Sequence, residues 1–193
     1  MKKIEMIWRE ILEMSSKTAF FEQKLMAAKL GISTSTVFAA IKPLRAIGAV
    51  TVTGRNFRVT NLEKILLFWA THRQLTRDII YQTRVDSPIL EIEGLVPPGT
   101  VYTAYSATRR LLGTAPADYD KVYVYGDAKT VDRFPKLPGT PNLFVLKADP
   151  FLKNYGNITP VSQTMVDLWN LPDWFAADFF KALKEKFYEF TYF

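Results

Sequence analysis

The side chains that could carry out chemistry in this 193-residue chain are limited in type. The sequence contains no cysteine, which excludes disulfides, zinc ribbons, iron–sulfur clusters and thiol catalysis. His72 is the only histidine, so a histidine-cluster metal site is excluded, and a packed or surface role is favoured for it over catalysis. Carboxylates remain as candidate metal ligands, and lysine, arginine and hydroxyl side chains remain as candidate ligands for phosphate.

One pair of carboxylates has a spacing suited to metal chemistry. Asp118 and Asp120 lie two residues apart, shortly before the apolar run at residues 122–125. This pattern resembles nucleotidyltransferases, in which a D-x-D ahead of a hydrophobic strand holds Mg²⁺ against a nucleotide triphosphate. A metal-dependent, nucleotidyltransferase-like enzyme that uses these two residues is therefore the alternative function.

The resemblance to nucleotidyltransferases is partial. Tyr105-Ser106 stands where that family has a Gly-Ser turn, so the backbone cannot approach phosphate as closely. Lys121 places a cation beside the carboxylates, and the apolar run at 143–146 has no third acid. We therefore expect no enzymatic activity, and we assign no catalytic residue, metal or cofactor.

The basic residues are concentrated near the N-terminus. The net charge is +6, and residues 1–60 contain ten Lys and Arg against four Glu, which leaves the rest of the chain neutral. No acidic residue lies between Glu22 and Glu63. Because a carboxylate would repel phosphate, such a stretch favours a surface that binds a polyanion.

The same stretch has helical patterns. Apolar residues at three- and four-residue spacing predict a first helix over residues 4–12, and a second short helix over 23–30 ends at Gly31. Ser33 can cap a third helix over 34–47. The residues expected on its core face are Val37, Ala40, Ile41 and Leu44. Two helices joined by a short turn predict a helix-turn-helix.

After Gly48 the apolar period changes from that of a helix to that of a strand. Val50 and Val52, then Phe57 and Val59, alternate with polar residues on either side of Gly54-Arg55-Asn56, which predicts a β-hairpin. A helix-turn-helix followed directly by a hairpin resembles the winged-helix superfamily over residues 1–60. That resemblance implies binding to double-stranded DNA.

The candidate DNA contacts lie on the third helix and the hairpin. Hydroxyls at the helix N-terminus are suited to phosphate, whereas Phe38 and Ala39 can contact only a thymine methyl among the base edges. Arg55 at the hairpin tip could enter a minor groove, and Pro43 is expected to bend the helix near Ala39. The predicted site is Ser33, Thr34, Ser35, Thr36, Phe38, Ala39, Lys42, Arg45, Arg55, Asn56 and Arg58.

The sequence beyond residue 60 predicts a connecting segment and a second domain, and the fold class as a whole is α+β. Asn61 can cap a helix from Leu62 to about Gln82, within a connecting segment at 61–85, with the boundary at Asp86-Ser87-Pro88. Residues 86–193 are predicted as a mixed α/β domain for partner or ligand interaction. Its predicted elements are strands at 101–104, 122–125 and 143–146, a helix at 106–112 ending at Gly113, a loop at 135–141 and a helix from Asp173 to Phe190.

Both halves together resemble the AbiEi-type antitoxin and regulator family. The resemblance depends on the winged helix, on residues 101–107 and 118–125, and on Val166-Asp167-Leu168-Trp169 before the closing helix. It implies an N-terminal domain that binds operator DNA and represses its own operon. It also implies a C-terminal domain that counters a nucleotidyltransferase toxin. The partial D-x-D pattern separately predicts that this domain is a degenerate relative of the nucleotidyltransferase fold.

These patterns predict a sequence-dependent, double-stranded DNA-binding transcriptional regulator that acts as antitoxin and autorepressor of a toxin–antitoxin operon. A protein–protein module is a further alternative, which the acid-free basic stretch disfavours. The expected partners are double-stranded DNA, a nucleotidyltransferase toxin and a second copy of the chain in a homodimer. The N-terminal residues lack the apolar core of a signal peptide and no run is long enough to span a bilayer, so we expect a cytoplasmic protein without membrane partners.

Overall fold

The first helix, α1 (Lys3–Met14), is anchored by Trp8. The indole of Trp8 is fully buried, and its Nε1 donates a 2.9 Å hydrogen bond to the carbonyl oxygen of Ala40. Ala40 belongs to α3 (Thr34–Ala46) and is also fully buried. Because the alanine side chain is small, the two helix backbones can approach closely at this point.

The computed structural model describes residues 1–189 and has an α+β fold. The chain divides into two compact units. The first contains residues 1–73 together with 186–189, and the second contains residues 74–185.

A buried polar cluster joins the two ends of the first unit's sequence. The helix α4 (Leu62–His72) is followed by Arg73 in an extended conformation. Glu5 is buried, and its Oε2 accepts hydrogen bonds of 3.2 Å from Trp69 Nε1 and of 3.2 Å from Arg73. The charge on Arg73 is therefore neutralised inside the unit, where an isolated guanidinium would be strongly unfavourable.

A three-stranded antiparallel sheet completes the first unit. Its strands are β1 (Phe20–Glu22), β2 (Val50–Thr53) and β3 (Asn56–Val59), in the order β1-β3-β2. Phe21 and Phe57 are paired across β1 and β3, and their buried rings stack at 5.2 Å. The predicted hairpin is confirmed, whereas β1 is an additional strand that the sequence analysis does not predict.

A four-stranded sheet forms the centre of the second unit. It contains β4 (Ile79–Thr83), β5 (Val101–Thr103), β6 (Val122–Gly126) and β7 (Leu143–Lys147), in the order β4-β7-β6-β5. The pair β6–β7 is parallel and is connected through the helix α7 (Ala128–Arg133), while the other two pairs are antiparallel.

Several helices belong to the same unit as this sheet. The helices in addition to α7 are α5 (Ile89–Leu95), α6 (Ala104–Leu112), α8 (Val161–Trp169) and α9 (Ala176–Glu189). Residues 176–185 of α9 belong to the second unit, and residues 186–189 belong to the first. One buried apolar cluster includes side chains from three strands, namely Tyr102, Val122, Val124, Leu143 and Val145, together with Ile92, Ala107 and Phe134.

The predicted connecting helix is wrong in its second half. The helix that begins at Leu62 ends at His72, and a 3₁₀ turn (Leu75–Asp78) and then β4 follow it. Ile79 and Ile80, which lie within the range of the predicted helix, are strand residues because β4 pairs with β7. The division between the units follows Arg73 instead of lying at Asp86-Ser87-Pro88.

The other elements predicted for the second unit are largely confirmed. The three strands form at their predicted positions, and α6 ends at Gly113, whose φ of +79° is the left-handed cap expected there. The loop at 135–141 has no regular secondary structure. The last helix starts at Ala176 instead of Asp173, and Phe190 lies outside the described residues. The sequence analysis does not predict β4, α5, α7 or α8.

Within residues 1–189, no helix has both the length and the apolar character that are needed to cross a bilayer.

The buried Glu5 cluster generates a stability prediction. Glu5→Ala removes the carboxylate that faces Arg73 and the Trp69 indole, and we expect the free energy of unfolding to fall by about 3–5 kcal/mol. Urea unfolding followed by circular dichroism measures this loss. The control is Glu22→Ala, which removes an exposed acid from β1 and should change the free energy of unfolding by less than about 0.5 kcal/mol. Equal effects of the two substitutions would contradict the assigned role of Glu5.

Candidate nucleic-acid interface

The turn between α2 (Gln23–Lys29) and α3 fixes where the third helix begins. Gly31 closes α2 with a φ of +58°, a conformation that glycine adopts without strain. The backbone N–H of Ile32 then donates to the carbonyl oxygen of Ala27 at 3.0 Å. Ser33 follows in an extended conformation as the N-cap of α3, as predicted.

A cluster of hydroxyls surrounds that N-terminus. The Ser33 Oγ accepts a 3.2 Å hydrogen bond from the backbone N–H of Thr36, and it lies 2.8 Å from both Ser35 Oγ and Thr36 Oγ1. Thr34, the fourth hydroxyl residue, is exposed beside them. The Ser33 hydroxyl therefore caps the helix, and the Ser35 and Thr36 hydroxyls are hydrogen-bonded to it.

The helix α3 separates apolar from polar residues as its spacing predicts. Its buried residues recur at i, i+3, i+4 and i+7, and each is at most 1% exposed: Val37, Ala40, Ile41 and Leu44. Of the predicted contact residues on the helix, Thr36 is half-buried, and the others lie on the other side and are exposed: Thr34, Ser35, Phe38, Ala39, Lys42 and Arg45. Pro43 lies within a helix that continues to Ala46, so the expected distortion does not end the helix.

The turn between β2 and β3 is tight. Thr53 pairs with Asn56, so only Gly54 and Arg55 lie outside the strands. Gly54 has a φ of +59°, the sign that a type II′ turn requires at its first central position. The carbonyl oxygen of Arg55 accepts a 3.2 Å hydrogen bond from the N–H of Gln23, which ties this turn to the start of α2.

Two neighbours of this turn change the predicted picture of the hairpin. Asn56, expected in the turn, is a strand residue paired with Glu22 on β1, so an exposed carboxylate lies opposite a predicted DNA contact. The Arg58 guanidinium lies over the exposed ring of Phe20, 5.3 Å from its centre. Phe20 is not among the predicted site residues. Its position next to buried Phe21 on the same strand indicates that the Phe20 side chain faces outward, because neighbouring strand residues face opposite sides.

The side chain of Arg58 lies on the exposed face of the three-stranded sheet. Its neighbours along β3, Phe57 and Val59, are buried, and Arg58 pairs laterally with Phe20 and Thr51 on the exposed face. The structure thus places the α3 residues on one helix face, whereas Arg55 and Arg58 belong to the hairpin and its outer surface.

His72, the only histidine, is part of neither group. It is exposed, its ring stacks on Phe68 at 4.0 Å, and its Nδ1 lies 2.8 Å from the Phe68 carbonyl oxygen. These contacts fit the surface role that the sequence favours.

Asp118 and Asp120, the carboxylate pair of the second unit, flank Tyr119, and the contacts of Tyr119 fix this segment. Tyr119 points inward, where its hydroxyl donates a 2.6 Å hydrogen bond to Glu93 Oε1. Asp118 and Asp120 are consequently both exposed. Burial would raise the pKa of Glu93, but the hydrogen bonds from Tyr119 and Arg109 outweigh it and lower that pKa overall.

The space beside the carboxylates is filled by an aromatic cluster. Tyr105 is fully buried, its ring lies 4.9 Å from those of Phe175 and Phe179, and its hydroxyl donates a 2.8 Å hydrogen bond to Asp173 Oδ2. Burial and that hydrogen bond raise the pKa of Tyr105 far above its usual range. Lys121 forms an ion pair with the same Asp173 carboxylate. Tyr105 is therefore neutral, Lys121 and Asp173 are paired with each other, and all three stabilise the packing of this region.

The junction between β5 and α6 has one strained residue. Ala104 adopts a φ of +51°, the left-handed region that glycine occupies more easily. The left-handed position is therefore present at this turn, one residue before Tyr105, but an alanine occupies it. Among residues 1–189, no three His, Asp or Glu side chains come together in a way that could hold a metal ion.

Comparisons of the chain with known protein families, with curated proteins and with solved structures return no match. The function is therefore inferred from the residues and contacts of the chain itself.

The capping geometry predicts different roles for two adjacent hydroxyl residues. Ser33→Ala removes the cap to Thr36, and we expect the free energy of unfolding to fall by about 1 kcal/mol. Thr34→Ala is the matched control, since Thr34 is exposed and is not the N-cap, and it should change stability by less than about 0.5 kcal/mol. Urea titrations of both variants measure the difference. A loss for Thr34→Ala as large as that for Ser33→Ala would show that the cap is misassigned.

Proposed function

We propose that the chain is a transcriptional regulator that binds double-stranded DNA through a winged helix-turn-helix in its first unit. The observation that carries the proposal is the exposed face of α3. That face combines hydroxyls at the helix N-terminus with Lys42 and Arg45 further along, in a stretch without acids between Glu22 and Glu63. A helix whose other face is fully buried can present this one to a major groove.

Contacts with phosphate would supply most of the affinity. The first turn of α3 presents backbone N–H groups and the exposed Thr34 hydroxyl, which suit an anion. Lys42 and Arg45 carry the positive charge of the same helix, and Arg55 adds a cation at the tip of the β2–β3 turn. Glu22, opposite Asn56, would limit phosphate contact on the β1 side of that turn. We therefore assign the helix the larger part of the binding.

A protein-interaction module without DNA binding is the weaker alternative for this unit. Its surface would not require a run of residues from 23 to 62 without a carboxylate, because protein partners are rarely polyanions. The basic helix face favours DNA over such a partner.

The proposal predicts a strong salt dependence. If about four to six phosphates are neutralised, the affinity of the full chain for a 30-base-pair duplex should fall by more than about tenfold between 50 and 200 mM salt. Fluorescence anisotropy measures it. Lys42→Ala and Arg45→Ala should each reduce the slope of log affinity against log salt by about one, for every duplex sequence.

Lys147→Ala is the control, since it removes an exposed lysine from β7 in the second unit and should leave the slope unchanged. Absence of binding at low salt would refute the regulator proposal. A slope that Lys42→Ala and Arg45→Ala both leave unchanged would remove α3 from the interface.

The resemblance to the AbiEi-type family extends the proposal to the operon. In that extension the chain represses its own operon and neutralises a nucleotidyltransferase toxin through the second unit. A nucleotidyltransferase reading frame beside this gene, and its copurification with the full chain, would support the extension. The exposed aromatic residues Trp169 and Trp174 of the second unit offer apolar surface to a partner protein.

The enzyme alternative is tested on Asp118 and Asp120. Both are exposed, Tyr105 fills the neighbouring space, and no third acid joins them in residues 1–189. We expect no label transfer when the chain is incubated with labelled nucleotide triphosphates, Mg²⁺ or Mn²⁺, and RNA or protein acceptors. The double variant Asp118→Asn with Asp120→Asn should bind DNA like the wild type. Transfer by the wild type that this variant loses would favour the enzyme instead.

A further inference from the structure

Phe38 is the only aromatic residue of α3, and 54% of it is exposed. A single exposed apolar side chain is common on protein surfaces. This one, however, lies between groups that suit phosphate. Helical spacing places Thr34 one turn before Phe38 and Lys42 one turn after it on the same exposed face. When such flanking groups contact the DNA backbone, the side chain between them faces the base edges.

The neighbouring polar side chains are poorly suited to distinguish bases. The first two turns of α3 contain no Arg, Asn or Gln, which are the residues that form paired hydrogen bonds with guanine or adenine. The Ser35 and Thr36 hydroxyls lie 2.8 Å from Ser33 Oγ in the cap, and hydroxyls accept or donate at any base. Hydrogen bonding from this helix therefore gives little sequence information.

The major groove contains one apolar group, the C5-methyl of thymine. We propose that Phe38 recognises this methyl group, so that T·A base pairs at its position define the preferred DNA. Ala39, also exposed, has a side chain of one carbon and lets the helix backbone approach the groove at that point. This inference rests on the DNA binding proposed above and names the base feature that the interface selects.

The test compares two duplexes that differ only in the methyl group. The probes are alternating poly(dA-dT) and its deoxyuridine counterpart poly(dA-dU), and binding of the full chain is measured by competition anisotropy at low salt. Burial of one methyl group is worth about fourfold in affinity. The wild type should prefer the thymine duplex by about that factor or more. Phe38→Ala should lose most of the preference for thymine and should bind both duplexes with close to the affinity that the wild type has for the deoxyuridine duplex, because a one-carbon side chain makes far less apolar contact than a ring.

Leu90→Ala is the matched control, because Leu90 is a 63% exposed apolar residue of a helix in the second unit, and this variant should keep the preference for thymine. Urea unfolding establishes that Phe38→Ala folds like the wild type, as its exposure predicts. Binding without any preference between the duplexes would refute recognition of the methyl group while leaving DNA binding intact. An equal loss of affinity for both duplexes in Phe38→Ala would also overturn it, since the ring would then contact the DNA backbone. Absence of binding to either duplex would refute the DNA-binding proposal itself.

Discussion

The burial of one face of α3 is the constraint on which the proposed DNA-binding surface depends. Val37, Ile41 and Leu44 are almost completely inaccessible, and the Trp8 indole donates its hydrogen bond to the Ala40 carbonyl oxygen at the same contact. A rotation of the helix about its axis would break that hydrogen bond and expose the apolar stripe, which is worth about 0.8 kcal/mol for each methylene removed from water. The exposed residues are consequently held in one orientation without a bound ligand.

The sequence identifies this helix because its signals are local. The apolar spacing, the Ser33 cap and the glycines at both ends all lie within α3 and its flanks. β1 and β4 are not predictable in this way, because three to five residues provide too little periodicity, and both become strands only by pairing with β3 and β7. The same limit hides the contact of Arg58 with Phe20 and the pairing of Asn56 with Glu22, since both pairs come from strands that are distant in sequence.

In the second unit, the residues around Asp118 and Asp120 explain why this pair differs from the metal site that its spacing suggests. Asp118 and Asp120 have the spacing of metal ligands, but the residue between them points inward to Glu93, and both carboxylates remain at the surface. Lys121 and the Tyr105 hydroxyl share the Asp173 carboxylate, so the polar groups nearest to the pair are already satisfied. The departures that the sequence reveals at Tyr105 and Lys121 therefore have a structural explanation, in that both residues stabilise the packing of this unit. The left-handed Ala104 could not be predicted, because alanine gives no signal for a positive φ.

The distribution of charge connects these observations with function. Inside the first unit the buried carboxylate of Glu5 neutralises Arg73, so this arginine contributes little field at the surface. The cations on α3 and the hairpin, Lys42, Arg45, Arg55 and Arg58, are exposed and lie outside the buried core of the unit. Exposed like charges in one region oppose compact folding slightly, and they are tolerated because the apolar stripe and the Trp8 contact stabilise the unit independently. The fold thus separates the residues that stabilise it from those that we propose contact DNA, so we expect substitutions on the exposed face of α3 to leave the protein folded.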